Sequence, residues 1–345
     1  MTTGITWKHD PMNAFHAWSR RVKRLCALGV IAGLGFFVNP QQAFPQSTPS
    51  ALSLQTSPTQ VTFLGVHFQN ARQGWIVGAG GTILHTNDGG GTWNTSPRRT
   101  NALLTAVTFA DAMHGWILGQ NGTVLHTVDG GRQWVPQESG TNVTLYAADF
   151  LSAEEGWVIG SRGVILHTED GGESWTDQVS GTTADLFGVH FLNEIRGWAV
   201  GALGVILSTS DGGKNWGIQT TNNPATFFDI VFTDNVAGWA VGTQGAMFQT
   251  LNGGEVWVDH TRLCGSPCIK PADLVNIQFS NSLVGRIVGE RGTILETQDA
   301  GFTWQEIEPL NSEALYGQSI PDSSQGFAVG DHGTIIHFHS PQSNP

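Results

Sequence analysis

One sequence unit recurs seven times along this chain at a nearly constant period. Its clearest copy reads Gly74-Trp75-Ile76-Val77-Gly78, two linking residues, Gly81-Thr82-Ile83-Leu84-His85-Thr86, then Asp88-Gly89-Gly90 and Trp93. The Trp75 position is filled in turn by Trp75, Trp116, Trp157, Trp198, Trp239, Arg286 and Phe327. Five of the six steps are 41 residues, and the step from Trp239 to Arg286 is 47. A unit this short cannot bury its apolar faces alone, so the copies must stack on one another.

Each unit reads as four short strands, which in the third are residues 145–150, 156–159, 164–168 and 174–179. The second and third strands are apolar on both faces (Trp157, Val158, Ile159; Val164, Ile165, Leu166), as suits a blade sandwiched between two others. Gly160 and Gly163 bracket a tight turn between them. The 45 glycines, 13 tryptophans and 13% charged residues fit many short strands joined by glycine turns, and not a helical protein.

The last turn of the unit carries Thr-x-Asp-Gly-Gly-x-x-Trp. The copies are Thr86/Asp88/Trp93, Thr127/Asp129/Trp134, Thr168/Asp170/Trp175 and Thr209/Asp211/Trp216, with weaker ones at Thr250/Asn252/Trp257 and Thr297/Asp299/Trp304. It resembles the Asp-box of sialidase-like and related propellers. The aspartate is expected to accept backbone N–H bonds, the glycines to take positive φ, and the tryptophan to pack in the blade. A catalytic or calcium-binding role fits badly, because six copies of one active site make no chemical sense.

The seventh unit stops after residues 333–339 with no Asp-box. Trp93 to Phe109 is 16 residues, as is Trp134 to Phe150, and Leu52 to Phe68 is 16 as well. Residues 51–55 therefore align with the fourth strand of a blade whose first three strands lie at the other end of the chain. This predicts an all-β, seven-bladed β-propeller of four-stranded blades over residues 51–340, closed by the N-terminal strand, with a tail at 341–345. Closure removes the sheet edges on which chains aggregate. Trp257 to Phe279 spans 22 residues in place of 16, which puts the one insertion between blades 5 and 6, on the face opposite the Asp-boxes.

Residues 1–43 differ in kind. Arg20, Arg21, Lys23 and Arg24 precede an apolar stretch at 25–38, followed by a polar, proline-containing segment. That is the layout of an export signal, cleaved or retained as an anchor, and the stretch is short for a membrane span. Either Met1 or Met12 is the start on this reading; residues 44–50 are expected to be a linker. Without residues 1–43 the chain has 27 acidic and 11 basic residues, a net of −16, which disfavours nucleic acid and anionic membrane. In an exported protein Cys264 and Cys268 are expected to pair, closing a small loop in the insertion. The alternative, a zinc site, requires two further ligands, and none stands out.

The repeating unit as a whole resembles the photosystem II stability/assembly factor family, over the entire chain beyond the export segment. The resemblance implies a lumenal or periplasmic assembly factor without catalytic activity or cofactor. Such a factor binds the precursor of a reaction-centre protein through arginines on one propeller face. In this sequence Arg98, Arg99, Arg162, Arg262, Lys270 and Arg291 fall in the loops opposite the Asp-boxes, whereas Glu154, Glu155, Glu194 and Asp234 fall at the other end. One face is thus expected to be less negative, with these residues as candidate partner contacts; scattered solubilising arginines are the alternative. Membrane contact is expected only through the N-terminal segment, and the chain is expected to be a monomer.

Enzymatic readings are weaker. A sialidase needs three arginines and a Tyr–Glu pair, but Tyr146 and Tyr316 occupy the strand position of Phe187 and Phe228 and read as packing residues. An envelope propeller that binds or hydrolyses carbohydrate stays open as the alternative function. His85, His126, His167 and His337 share one repeat position. Neighbouring copies stand roughly a sheet spacing of ~10 Å apart, too far for shared metal ligands at ~2 Å, so packing is the better account.

Overall fold

The computed structural model describes residues 50–219, 221–261, 272–322 and 325–339. The export segment, Arg262, Lys270, the Cys264–Cys268 pair and the tail lie outside the described residues. The rest forms seven four-stranded antiparallel sheets. Blade 1 consists of Phe63–Phe68, Gly74–Gly78, Thr82–Thr86 and Asn94–Thr95, from the channel outwards. Its first strand packs against Leu104–Phe109 of blade 2 and against Leu315–Asp322 of blade 7, so the ring closes.

The closure is the one expected from spacing. Ala51–Leu54 pairs antiparallel with Ile335–His339, matching Ala51 to His339 and Leu54 to Ile336. Blade 7 thus takes its outer strand from the start of the described chain and its other three from the end.

Burial follows the same logic. The second strand of each blade, such as Gly156–Gly160, is buried along its length, apart from Arg196 and Gln325 at the starts of those in blades 4 and 7, because a neighbouring blade covers each face. Interfaces between blades are made by an aromatic triad. Trp116 of blade 2 stacks on Phe150 of blade 3 (3.5 Å, 6°), and Trp175, from the Asp-box of blade 3, stands edge-on to the same ring (6.2 Å, 83°). Trp157/Phe191/Trp216 and Trp198/Phe232/Trp257 repeat this at the next two interfaces. Each such pair adds about 0.5–1.5 kcal/mol beyond its area burial. The Trp116 indole also donates to the Gly171 carbonyl in the next blade's Asp-box at 3.0 Å. The repeat period is therefore a packing period: each tryptophan belongs to one blade and is seated in the box of the next. Gly74 leaves room within the triad of blade 1, where a Cβ would lie 2.6 Å from the Phe68 ring.

The Asp-box chemistry is local. In blade 1, the Thr92 N–H donates to Asp88 Oδ1 at 2.9 Å, the Thr86 hydroxyl donates to the same oxygen at 2.8 Å, and the Gly90 N–H donates to Thr86 Oγ1 at 3.0 Å. The Thr92 backbone bond, with help from the Thr92 and Thr86 hydroxyls, pulls the Asp88 carboxyl down to about 2. Asn252 does the same work uncharged, accepting from the Val256 N–H at 2.9 Å.

Candidate functional site: the turn face and the central channel

Two regions follow from this frame. The first is the face opposite the Asp-boxes. Within each blade the second and third strands are joined there by a tight turn whose two central residues have positive φ, as a type I′ turn demands. In blade 3 these are Arg162 (φ 60) and Gly163 (φ 73), and in blade 6 Arg291 (φ 57) and Gly292 (φ 69). The first of the two positions suits Gly or Asn, and Gly80 and Asn121 hold it in blades 1 and 2. Leu203, Gln244 and His332 hold it in blades 4, 5 and 7, so the two arginines stand at a position that varies from blade to blade.

Arg98 and Arg99 lie on the same face, in the connection from blade 1 to blade 2; a Cβ on turn residue Gly81 would stand 3.4 Å from Arg98 Cγ. The structure thus puts Arg98, Arg99, Arg162 and Arg291 on one face, spread around the ring, with Arg291 three blades from Arg162. The face is less one-sided than expected. Asp185, Asp273, Glu290, Glu313 and Asp331 also lie there, in the connections and turns at that end. Asp185 accepts the backbone N–H of Arg162 at 2.8 Å, and Asp273 accepts that of Gln244 at 2.7 Å. Asp185 and Asp273 each stand just before the first strand of a blade and tie the neighbouring turn, a contact that sequence spacing does not reveal.

The second region is the central channel, a cavity of about 660 Å³ lined by the first strands of all seven blades. An aromatic arc sits at its arginine-face end, with Tyr146 and Phe187 4.9 Å apart and Phe187 and Phe228 5.7 Å apart. Deeper along the strands are His67, Asp149, His190 and Asp229. Asp149 Oδ2 lies 3.7 Å from His190 Nδ1 and accepts the Phe191 N–H at 2.6 Å. Asp229 accepts the N–H groups of Ile230 (2.9 Å) and Ile277 (3.0 Å). The inner edge of each first strand has no sheet neighbour, and these side chains reach across to satisfy its N–H groups. Burial pushes Asp149 up, pushes Asp229 up to about 7, and pushes His67 down to about 4. Sequence reading missed all four. The signal was present: the Asp229 column otherwise holds Gly, Ala and Asn, and the column shared by His67, Asp149 and His190 otherwise holds Thr, Val, Gln and Ser.

Among the described residues no arginine lines the channel. Tyr316 donates to Asp331 Oδ2 at 3.0 Å, and burial together with that carboxylate pushes its hydroxyl up to about 12. Three of the four shared-position histidines pack flat on the ring in the Trp slot of their own blade: Trp116–His126 (4.8 Å), Trp157–His167 (4.6 Å) and Phe327–His337 (4.4 Å). Among the described residues no group of three or more His, Cys, Asp or Glu is placed to hold a metal ion.

Comparison with known proteins agrees with this architecture. The YCF48 structure described as bound to D1 peptide has a TM-score of 0.71 and 21% identity, covering 87% of this chain and 98% of that one. YCF48 from Cyanidioschyzon merolae gives 0.68 and 20%, covering 84% and 98%. The WD40 β-propeller domain of Doa1 gives 0.68 at only 12% identity, covering 86% and 97%, so likeness at this level speaks for the fold. None of the curated proteins matches the chain in sequence. The family model described as "Photosynthesis system II assembly factor YCF48" matches residues 45–101, 98–182 and 218–314, well over half of the chain. The chain belongs to the YCF48 photosystem II assembly factor family.

Proposed function

We propose that this protein is a non-enzymatic, exported binding scaffold that holds a segment of a membrane-protein partner on the face opposite the Asp-boxes. The observation that carries this reading is the set of arginines on that face, Arg98 and Arg99 in a connection between blades and Arg162 and Arg291 at turn tips. Family membership supports it, and so does the relative described as bound to a D1 peptide. The partner is accordingly a photosystem II reaction-centre precursor or a membrane protein of similar kind. The compartment is the periplasm, the thylakoid lumen or the exterior, and the protein acts as a monomer.

The mechanism is rigid display. A closed ring fixes many short loops at little entropic cost, and the partner reads their side chains. Because Asp185 and Asp273 stand among the arginines, the surface discriminates by pattern: carboxylates of the partner are drawn to Arg98, Arg99, Arg162 and Arg291 and repelled between them. Arg262 and Lys270, in the insertion, belong to the same reading.

Affinity capture from native membranes tests it, with recovery of a reaction-centre protein as the expected result. Glycan retention without a protein partner would overturn it. Charge reversal of Arg98, Arg99 and Arg162 together is expected to weaken binding of the captured partner by at least about tenfold, roughly 1.4 kcal/mol. Unchanged affinity would remove the arginines from the site.

A further inference from the structure

The aspartates of the central channel carry charge that the fold does not ask of them. Asp149 accepts the Phe191 N–H of the next blade, yet at the same strand position Gln278 accepts the Ile320 N–H at 3.1 Å and Ser319 Oγ accepts the Phe68 N–H at 2.9 Å, both without charge. Asp229 shares its position with Asn276 in blade 6 and with Gly or Ala in the other five blades. Nothing in the wall offsets these groups. Among the described lining residues there is no Lys or Arg, while Asp273 and Glu290 add two further carboxylates at the mouth. His67, pushed down to about 4 by burial, is neutral at physiological pH. His190 faces Asp149 at 3.7 Å, but Asp229 makes no ion pair among the described residues. A carboxyl held out of water without a cation keeps its proton, which is why burial lifts Asp229 to about 7. Beside it in the same column, Asn276 Oδ1 is a buried acceptor with no hydrogen-bond partner among the described residues. Charge and hydrogen bonding both lack a positively charged donor.

The shape of the cavity says which cation. Its lining runs from the turn residues Gln120 and Glu290 inwards to the level of Asp149, so entry is from the arginine-bearing face. A bulge in the first strand, between Phe227 and Asp229 in blade 5, turns Phe228 to the channel next to Asp229, and the same bulge between Leu145 and Ala147 turns Tyr146 there. The arc of Tyr146, Phe187 and Phe228 thus lies between the carboxylates of the mouth and those below. At ~3.3 Å per strand residue, Asp273 stands about 10 Å above the level of Asp229, and Asp149 about 7 Å beneath it. Acid, aromatic ring, acid and acid in that order match a linear chain whose ammonium groups are separated by methylenes. The methylenes lie on the rings and the ammonium groups reach the carboxylates, with the ring faces adding cation–π attraction. A metal ion fits less well, because among the described residues no group of three or more His, Cys, Asp or Glu is placed to hold one.

We propose that the central channel is a binding site for linear aliphatic amines, with ammonium groups at Asp229 and Asp149 and the methylene stem against Tyr146, Phe187 and Phe228. It goes beyond the function proposed above and does not depend on which partner the arginine-bearing face holds. The same alkylammonium chemistry comes from a free polyamine or from a lysine side chain.

Titration calorimetry on the full chain tests it, with spermidine and butane-1,4-diamine as ligands and butane-1,4-diol as their uncharged match. The expected result is saturable binding of the amines and none of the diol. Asp229→Asn, which keeps an acceptor for the Ile277 N–H, should weaken spermidine by at least about tenfold. Asp149→Asn should weaken it as well, and thermal melting checks that both variants fold. Glu255→Gln, an exposed carboxylate in an Asp-box, should bind as the parent does. Near pH ~7, runs in buffers of different ionisation enthalpy should show net proton release, because the bound cation drives the proton off Asp229. N-acetyl-lysinamide separates the sources: binding tighter than that of spermidine names a lysine side chain of a protein, and weaker binding names a free amine. No saturable binding of any of these amines overturns the proposal. So does unchanged spermidine affinity in a folded Asp149→Asn/Asp229→Asn variant, which would place the amine on the acidic outer surface.

Discussion

The guanidinium of Arg286 lies 3.7 Å from the ring of Phe338, flat in the interface between blades 6 and 7. Every other blade fills this position with an aromatic ring seated against the Asp-box of the next blade: Trp75 against Gly131, Trp239 against Gly301, Phe327 against Gly90. The blade after Arg286 is the one without an Asp-box, and Ile320 stands there in place of the stacked phenylalanine. Ring, phenylalanine and box are thus replaced together. Arg286 pairs instead with Glu296 at 2.6 Å, and its Nη2 also lies 3.4 Å from Ser50 Oγ. The arginine in the tryptophan position is a closure device.

From that relationship, removing one partner should cost far more than removing both. Both side chains are nearly buried, 10% and 11% exposed. Arg286→Met leaves Glu296 as an uncompensated charge, and Glu296→Gln leaves the arginine, each at about 3–5 kcal/mol. The double variant should recover much of that loss, because a buried ion pair contributes little net stability against apolar packing. Denaturant melts of the four proteins give the coupling; strictly additive losses would sink this account.

The fold was legible because packing and period are the same thing here. Trp116, Phe150 and Trp175 meet across two blades only if the copies stack in register, and Leu52 could be aligned to its blade by counting back from Phe68. The sites were less legible. Arg162 and Arg291 could be placed on a face from their turn positions, yet Asp185 accepting the Arg162 N–H depends on how neighbouring blades meet, which one unit's pattern does not contain. The same holds for Asp149 and Asp229. An aspartate in these strand columns is visible in sequence, but the Phe191 and Ile277 N–H groups that Asp149 and Asp229 satisfy belong to the next blade.

Asp229 and His67 should pull stability in opposite directions with pH. Burial raises Asp229 to about 7, with the charge of Asp149 adding to the rise, whereas an unfolded aspartate sits near ~3.9. Between those values the fold keeps a proton that the unfolded chain has lost, so this group costs stability as pH rises. His67, pushed down to about 4 by burial, works the other way: the unfolded chain binds its proton first, and stability is lost as pH falls below ~6.5. Asp229→Asn keeps an acceptor for the Ile277 N–H and removes only the first effect. The melting temperature of the variant relative to the parent should be near equal at pH ~4 and increasingly favourable up to pH ~7, by at most ~1.4 kcal/mol per pH unit and less to the extent that the group is wetted. A pH-independent difference would count against the buried-carboxyl explanation.

The Asp-boxes should behave as turn locks and not as reactive groups. In blade 3, Asp170 accepts the Ser174 N–H at 2.9 Å and the Thr168 hydroxyl at 2.8 Å. Asp170→Ala should raise amide exchange across residues 168–175 and lower the melting temperature, while leaving partner binding on the opposite face intact. Asp170→Asn should be close to neutral, since Asn252 makes the equivalent bonds in blade 5. A loss of partner binding in the alanine variant, with exchange at the turn unchanged, would give the box a functional role that its geometry does not suggest.

The ring should depend on its clasp. Leu52 packs against the apolar cluster of Val288, Ile336 and Phe338, and the Gln55 N–H closes the strand on the Ile335 carbonyl at 2.9 Å. A chain beginning after residue 56 would keep three strands of blade 7 and leave Ile335–His339 as an unpaired, largely apolar edge. It also loses Ser50 from beside Arg286 and Glu296. Such a chain should melt at lower temperature, less cooperatively, and associate through the open edge. A synthetic peptide of residues 48–58, added in trans, should restore a monomer by strand addition, as extended peptides do at open sheet edges. Size-exclusion chromatography with and without the peptide reads the outcome directly. A truncated chain that stays monomeric with an unchanged melting temperature would mean that the ring does not need its clasp.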